Sequence, residues 1–427
     1  MTRLLPDLVR AKAQEDPAVA AVVAGSRILS RGDVDAQSNR LARLLREFGC
    51  KREDRVCLLP PTGAEAVVAM LGALKADLIF APLPEEPVQR IPEMLRSCEP
   101  VCVLTTAARA GLVDRLLEQE VLRPDVVVGI LDSGPIPDGR FTRRFRLSEA
   151  SQQSPRALPS RSRASSPACV VFPSAAALPG VVWTHASILR FVTWVTQYFG
   201  IRTGDRHALL LPLSQDWSLC QTMSGLAGGA TVILVPDGAA SDPRNLASFI
   251  RRSRLTQWSS PFGLLKAMAE ADVVGPGDLP SLRDVVFWGP EGDGGVTRYW
   301  RTRLGRARFT TLFGVPETTM ASAYYTVSGG APERAGQPPL GVDCPGQRVL
   351  VLGPNRQPVQ AGETGEVHVS GTGLSPGYWR NPEATKRAFW ERTTGTGRRD
   401  RSFHVGLVAR RGADGQIYPV DQPGGAS

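Results

Sequence analysis

Phe172–His185 reads FPSAAALPGVVWTH and follows the apolar run Ala168-Cys169-Val170-Val171. A short β-type run, a loop of small residues and a helical stretch from Thr184-His185 have the strand–loop–helix layout of a phosphate-binding element. A loop that cradles polyphosphate needs glycines for close backbone approach, hydroxyl donors and usually a lysine to offset charge. This one carries Ala175, Ala176, Ala177 and Leu178, and no lysine. The layout is present and most of its phosphate chemistry is missing. That contrast decides between an enzyme and the shell of one.

Outward from this stretch, helical and strand-like patterns alternate, which predicts an α/β architecture. On the C-terminal side come a helix over 185–199, a strand at 207–211 and a helix over 218–226. A strand at 231–235, a helix over 243–252 and a buried strand at 284–288 ending at Gly289 follow. On the N-terminal side, Val34–Phe48 repeats apolar residues at helical spacing, and Gly49 sits where a C-cap glycine belongs. Strands at 55–59, 78–80, 101–104 and 126–131 accompany a helix over 64–76, and lone apolar runs bounded by helices predict parallel strands covered on both faces. Residues 148–166 are rich in Ser, Pro, Gln and Arg and read as an exposed linker or crossover. Beyond 338 the pattern changes to short strands with turn signals. The expected division is therefore 1–150, a linker at 151–168, a second α/β unit at 169–335 and a β-rich unit at 336–427.

With 427 residues the chain can bury a large core, and 42% hydrophobic with 21% charged residues describes an ordinary globular protein. The net charge of +9 comes mostly from scattered arginines. The clusters Arg156/Arg161/Arg163 and Arg398/Arg399/Arg401 lack interleaved aromatics and read as solvated loops, which argues against nucleic acid. The most apolar window, 64–84, is broken by Glu65, Lys75 and Asp77, which argues against a membrane span. Seven cysteines without a CxxC pair, and no secretory signal, predict reduced thiols in a cytoplasmic protein. The histidines His185, His207, His368 and His404 show no metal-ligand spacing along the chain.

Several motifs then occur in a familiar order. They are Leu74-Lys75-Ala76 with Ala81-Pro82-Leu83, Val181–His185, Leu312–Thr319 (LFGVPETT), and Gly362–Val367 (GETGEV) preceded by Leu340-Gly341. Gly371, Pro376-Gly377-Tyr378-Trp379 and Asn381–Thr385 complete the series. In this order they resemble the large N-terminal part of the adenylate-forming superfamily, which includes nonribosomal peptide synthetase adenylation domains, acyl-CoA synthetases and luciferases. The resemblance spans nearly the whole chain. It implies a multi-layer αβαβα core of two parallel-type sheet subdomains plus a smaller β-rich subdomain. The family's small C-terminal domain is expected to be absent, since the sequence stops at Ser427 near the family's hinge.

The same resemblance implies ATP and magnesium as cofactors, a small carboxylic or amino acid as substrate, and a carrier protein or synthetase as partner. By position, Glu317 matches the acidic residue that helps hold magnesium, and Glu317 and His185 are the ancestral catalytic candidates. Nucleotide positions are Ser174, Gly180, Gly289, Phe313, Gly314 and Leu407. Phe313 and Gly314 match the segment against which adenine stacks, or else are a core residue and a turn glycine. Asp216 aligns with an aspartate that pairs with the substrate's α-ammonium, or else caps a helix starting near Ser218. The acid pocket would be lined by Trp217, Cys220, Val286, Trp288, Leu312, Met320 and Ala321, with Trp288 standing where a small residue is frequent.

The departures cluster at charged ligand groups. The loop retains only Ser174, Pro179 and Gly180 of its pattern. Pro316 replaces a threonine beside Glu317, and Leu407 stands where an aspartate would grip both ribose hydroxyls. Electrostatic stabilisation is usually the largest catalytic term. The expectation is a degenerate core kept for scaffolding, docking or ligand binding. The alternatives are an active adenylate-forming ligase with its C-terminal domain supplied elsewhere, and an unrelated chemistry in the old pocket, for which no Ser-His-Asp or Cys-His arrangement speaks.

Overall fold

The computed structural model describes residues 4–59, 63–85, 87–135, 139–173, 179–289, 294–327, 338–393 and 399–420. Its strands form three sheets of seven, nine and five strands. The seven-stranded sheet runs in the order 144–146, 127–130, 102–105, 55–58, 79–82, 167–171 and 181–184. Its strands pair in parallel except for the last, antiparallel pair. The nine-stranded sheet has a parallel centre, 284–288 beside 308–315 and 257–261, with antiparallel pairs at both edges.

Side chains alternate across these strands, as the pleat requires. Val56 and Leu58 face one core and Cys57 and Leu59 another; Val286 faces one and Val285 and Phe287 another. The shared core lies between the two large sheets and holds the helices Arg31–Glu47, Ala64–Lys75, His185–Phe199 and Asp216–Gly228. Helix Ala64–Lys75 is buried on all sides, which its nearly continuous apolar sequence permits. Lys75 at its end reaches Asp35 Oδ1 at 2.6 Å and Ser38 Oγ at 2.8 Å. Helices Ile91–Cys98 and Ala110–Glu118 cover the outer face of one sheet; Pro243–Arg252, Phe262–Glu270 and Gly294–Leu304 cover that of the other. These are the expected αβαβα layers, with a separate antiparallel sheet built from 347–352, 364–371, 389–393, 399–411 and 417–419.

The expected boundaries do not follow the sheets. Strands Ala20–Ala24 and Arg27–Ser30 belong to the nine-stranded sheet, whereas Pro167–Val171 and Val181–Thr184 complete the seven-stranded one. The crossover before them is exposed but pinned. Asn39 Nδ2 donates to the Pro155 carbonyl, Arg43 to those of Ser154 and Arg156, and Asp77 accepts from Ser160, Arg161 and Ser162. These bonds carry the chain back to the free edge of strand Ile79–Pro82. Arg401 also departs from the solvated reading: it lies 4.1 Å from the centre of the Phe389 ring and donates to the Ser375 and Pro376 carbonyls. All seven cysteines are free and buried. Among the described residues no helix is long and apolar enough to cross a membrane.

Candidate functional site

The three units meet at the turn Pro316–Thr318, which joins strand Arg308–Val315 to strand Met320–Val327. Thr319 and Met320 both take positive φ, +50° and +66°, a conformation disfavoured for side-chain-bearing residues and tolerated where neighbours over-determine it. The neighbours here are numerous. Trp183 Nε1 donates to the Pro316 carbonyl at 2.7 Å, the Ser375 amide to that of Glu317 at 2.8 Å, and Gln347 Nε2 to that of Thr318 at 3.0 Å. Arg190 reaches the carbonyls of Thr319 and Ala321, each at 3.4 Å. One turn of the nine-stranded sheet is thus clamped by side chains from the other two sheets, by Arg190 of helix His185–Phe199 and by the Ser375 amide.

The clamp aims Glu317. Its Oε1 accepts a 2.9 Å hydrogen bond from the Tyr378 hydroxyl, a partner that sequence reading missed because the two lie 61 residues apart. Burial raises the Glu317 pKa, opposed by its backbone and Tyr378 hydrogen bonds. Burial also raises that of Tyr378, and the adjacent Glu317 charge adds to it. Tyr378→Phe is therefore expected to push the Glu317 carboxyl still higher and to cost about 1–3 kcal/mol by removing a hydrogen bond from a partly buried carboxylate. Carboxyl NMR titration and urea unfolding check this; an unmoved titration refutes it.

Asp216 sits across a cleft of about 200 Å³ lined by Val171, Phe172, Pro173, Ser214, Gln215 and Pro316. It is not the cap of a helix starting near Ser218 but the first residue of helix Asp216–Gly228, and its Oδ1 accepts from the Trp217 amide at 2.7 Å. Burial raises its pKa against that hydrogen bond, and the Glu317 charge adds to the rise. Among the described residues no cation pairs with it.

The seven apolar acid-pocket candidates fall into one cluster. Trp217, Cys220, Val286, Leu312 and Ala321 are buried in the shared core, and Trp288 and Met320 pack against it. Trp217 and Trp288 contact each other, ring centres 5.1 Å apart. The Trp217 Nε1–H and Ser214 Oγ are buried without partners.

Phe313 and Leu407, like Val405, pack against the apolar cluster of the five-stranded sheet. Leucine at this place offers a ligand no acceptor. Gly314 lies at an irregularity in the strand pairing, where an added Cβ would stand 1.8 Å from the Met320 carbonyl oxygen. The Gly180 carbonyl accepts from the Trp379 amide at 2.7 Å, and Gly289 turns the chain at φ +123°. Ser174 and the alanines after it lie outside the described residues. His185 stands apart from this group: its ring is 2% exposed and its charged neighbours are Asp77 and Asp7.

The AMP-binding enzyme family model matches residues 9–379. A curated relative, the probable non-canonical nonribosomal peptide synthetase CymA of Salinispora arenicola, is 27% identical over 97% of this chain, which spans 5% of that protein. The L-proline--[L-prolyl-carrier protein] ligase of Streptomyces coelicolor is 30% identical over 84% of the chain and 68% of its own length. Among solved structures, the nonribosomal peptide synthetase FmoA3 superposes with a TM-score of 0.84 at 26% identity, over 98% of this chain and 42% of that one. FmoA3 is also solved in an AMPPNP-bound form, at 27% identity. Taken with the three sheets meeting at Glu317, these likenesses establish that the chain belongs to the AMP-binding enzyme family, as a core of the nonribosomal peptide synthetase adenylation type.

Proposed function

We propose that this chain is an adenylation-type core in which ATP-dependent activation of a carboxylic or amino acid is impaired or lost. It serves a biosynthetic assembly line by docking a carrier protein or synthetase partner, or by binding a small ligand. The observation that carries the reading is Leu407, set with Phe313 and Val405 against an apolar cluster where the family likeness calls for a ribose-gripping aspartate. Two ribose hydroxyls placed there lose their water and gain no acceptor, a penalty of about 1–3 kcal/mol each. Glu317 suits a magnesium ion as a hard oxygen ligand, but the Leu407 surroundings do not fit a ribose. The lysine-free loop at 174–178 removes a further charge partner for phosphate. Within the same reading, Asp216 favours a ligand with an amino group, because a buried carboxylate without a cation is costly and an ammonium would offset that cost.

The test is a thermal-shift titration with ATP and magnesium, joined to hydroxamate trapping across a panel of amino acids. A ligand at a hundredfold excess over its Kd stabilises the folded state by about 2.7 kcal/mol, which a melting curve resolves. The expected result is no ATP-dependent shift and no hydroxamate above background. ATP-dependent hydroxamate with any acid overturns the proposal in favour of an active ligase.

A further inference from the structure

His368 and His404 have no ligand spacing along the chain, yet strand pairing sets them side by side. Strand Thr364–Gly371 runs antiparallel to Arg399–Arg411 with His368 directly opposite His404, and the pairing is irregular between Glu366 and His368. Glu366 Oε2 lies 3.5 Å from His404 Nε2 and 3.9 Å from His368 Nε2. One ligand atom from each of the three residues falls within 4.8 Å of the other two.

The second observation concerns His368 alone. Its side chain is fully buried, and neither ring nitrogen has a hydrogen-bond partner. Buried polar groups are nearly always paired, so two orphaned nitrogens on one ring require an explanation. Glu366 at 3.9 Å is too far to supply a hydrogen bond. Ring packing is good, with Trp390 4.6 Å and His404 5.0 Å from the imidazole centre, but packing satisfies neither nitrogen.

We propose that Glu366, His368 and His404 form a binding site for a divalent first-row transition metal, with zinc the best match. Two imidazoles and one carboxylate are a nitrogen–oxygen set suited to zinc, and three protein ligands leave a fourth position for water. Bonds of about 2.0–2.1 Å in tetrahedral array space ligand atoms by about 3.3 Å. The Glu366 contacts of 3.5 Å and 3.9 Å lie slightly beyond that value, and side-chain rotation on binding has to close the gap. The His404 ring also lines a cleft of about 450 Å³ shared with Pro179, Tyr378, Arg387 and Trp390, so the metal would sit beside the residue that holds Glu317.

The experiment uses the whole chain, stripped with a chelator and titrated calorimetrically with zinc chloride, with magnesium chloride as control. Cobalt substitution with its visible absorption reports the ligand field. One equivalent of zinc at micromolar affinity or tighter is expected, with no magnesium binding. His404→Gln and Glu366→Gln, both at partly or fully exposed positions, should each weaken zinc binding about tenfold or more while the melting curve of the metal-free protein stays put. Absence of zinc binding by the unaltered chain overturns the proposal. So does unchanged affinity in the double variant, which would assign the zinc to other groups.

Discussion

Acidification from pH 6.5 to pH 4 is expected to lower the folding stability in steps set in part by the buried imidazoles of His185 and His207. His185 and His207 are 2% and 1% exposed, and each has an Nδ1 without a partner. Burial lowers each pKa from 6.5 to about 4, partly offset at His185 by Asp77 and Asp7 and at His207 by Asp205, while Arg283 adds to the fall at His207. Between these values the unfolded chain binds protons that the folded chain refuses. Stability is therefore intact above pH 6.5 and declines as pH falls toward 4. Each histidine contributes about 3 kcal/mol to that loss. Urea unfolding at stepped pH measures the slope, and His207→Leu should flatten it measurably. A stability curve flat across this range would show that these rings are not held neutral.

Gly314→Ala is expected to be the most damaging single-methyl change near the site. The new Cβ would meet the Met320 carbonyl oxygen at 1.8 Å and its carbon at 2.6 Å, both backbone atoms that no rotamer change can move aside. Met320 cannot retreat easily, because it and Thr319 already hold positive φ and the following strand is hydrogen-bonded on both sides. The hairpin must separate at the point that presents Glu317. A cost of about 3 kcal/mol or more follows from overpacking against rigid backbone. Chemical unfolding measures it; a loss under about 1 kcal/mol would mean that the two strands are not this close. Gly263→Ala, where nothing lies within 4 Å of the added carbon, is the matched control.

Helix and strand positions were written locally. The helices at 185–199 and 243–252 and the strand at 284–288 begin and end where periodicity and caps place them, because these signals come from residues within a few positions of one another. Thr184 capping the Ser187 amide and Gly200 at φ +62° are examples. Helix Asp216–Gly228 began two residues earlier than read, since an aspartate in a first turn and one at a cap carry the same local signal.

By itself, then, the sequence determined the α/β class, most element positions, the family through its ordered motifs, and that no charged side chain stands at 174–178 or at 407. Only the tertiary structure decided which sheet each strand joins, that Trp217 and Trp288 meet, that Tyr378 holds Glu317, and that Glu366, His368 and His404 converge. The physical reason is that periodicity records which face of an element is buried, not what buries it. Strand partners, a hydroxyl 61 residues from its acceptor and imidazoles on neighbouring strands are chosen by the packing of the whole chain.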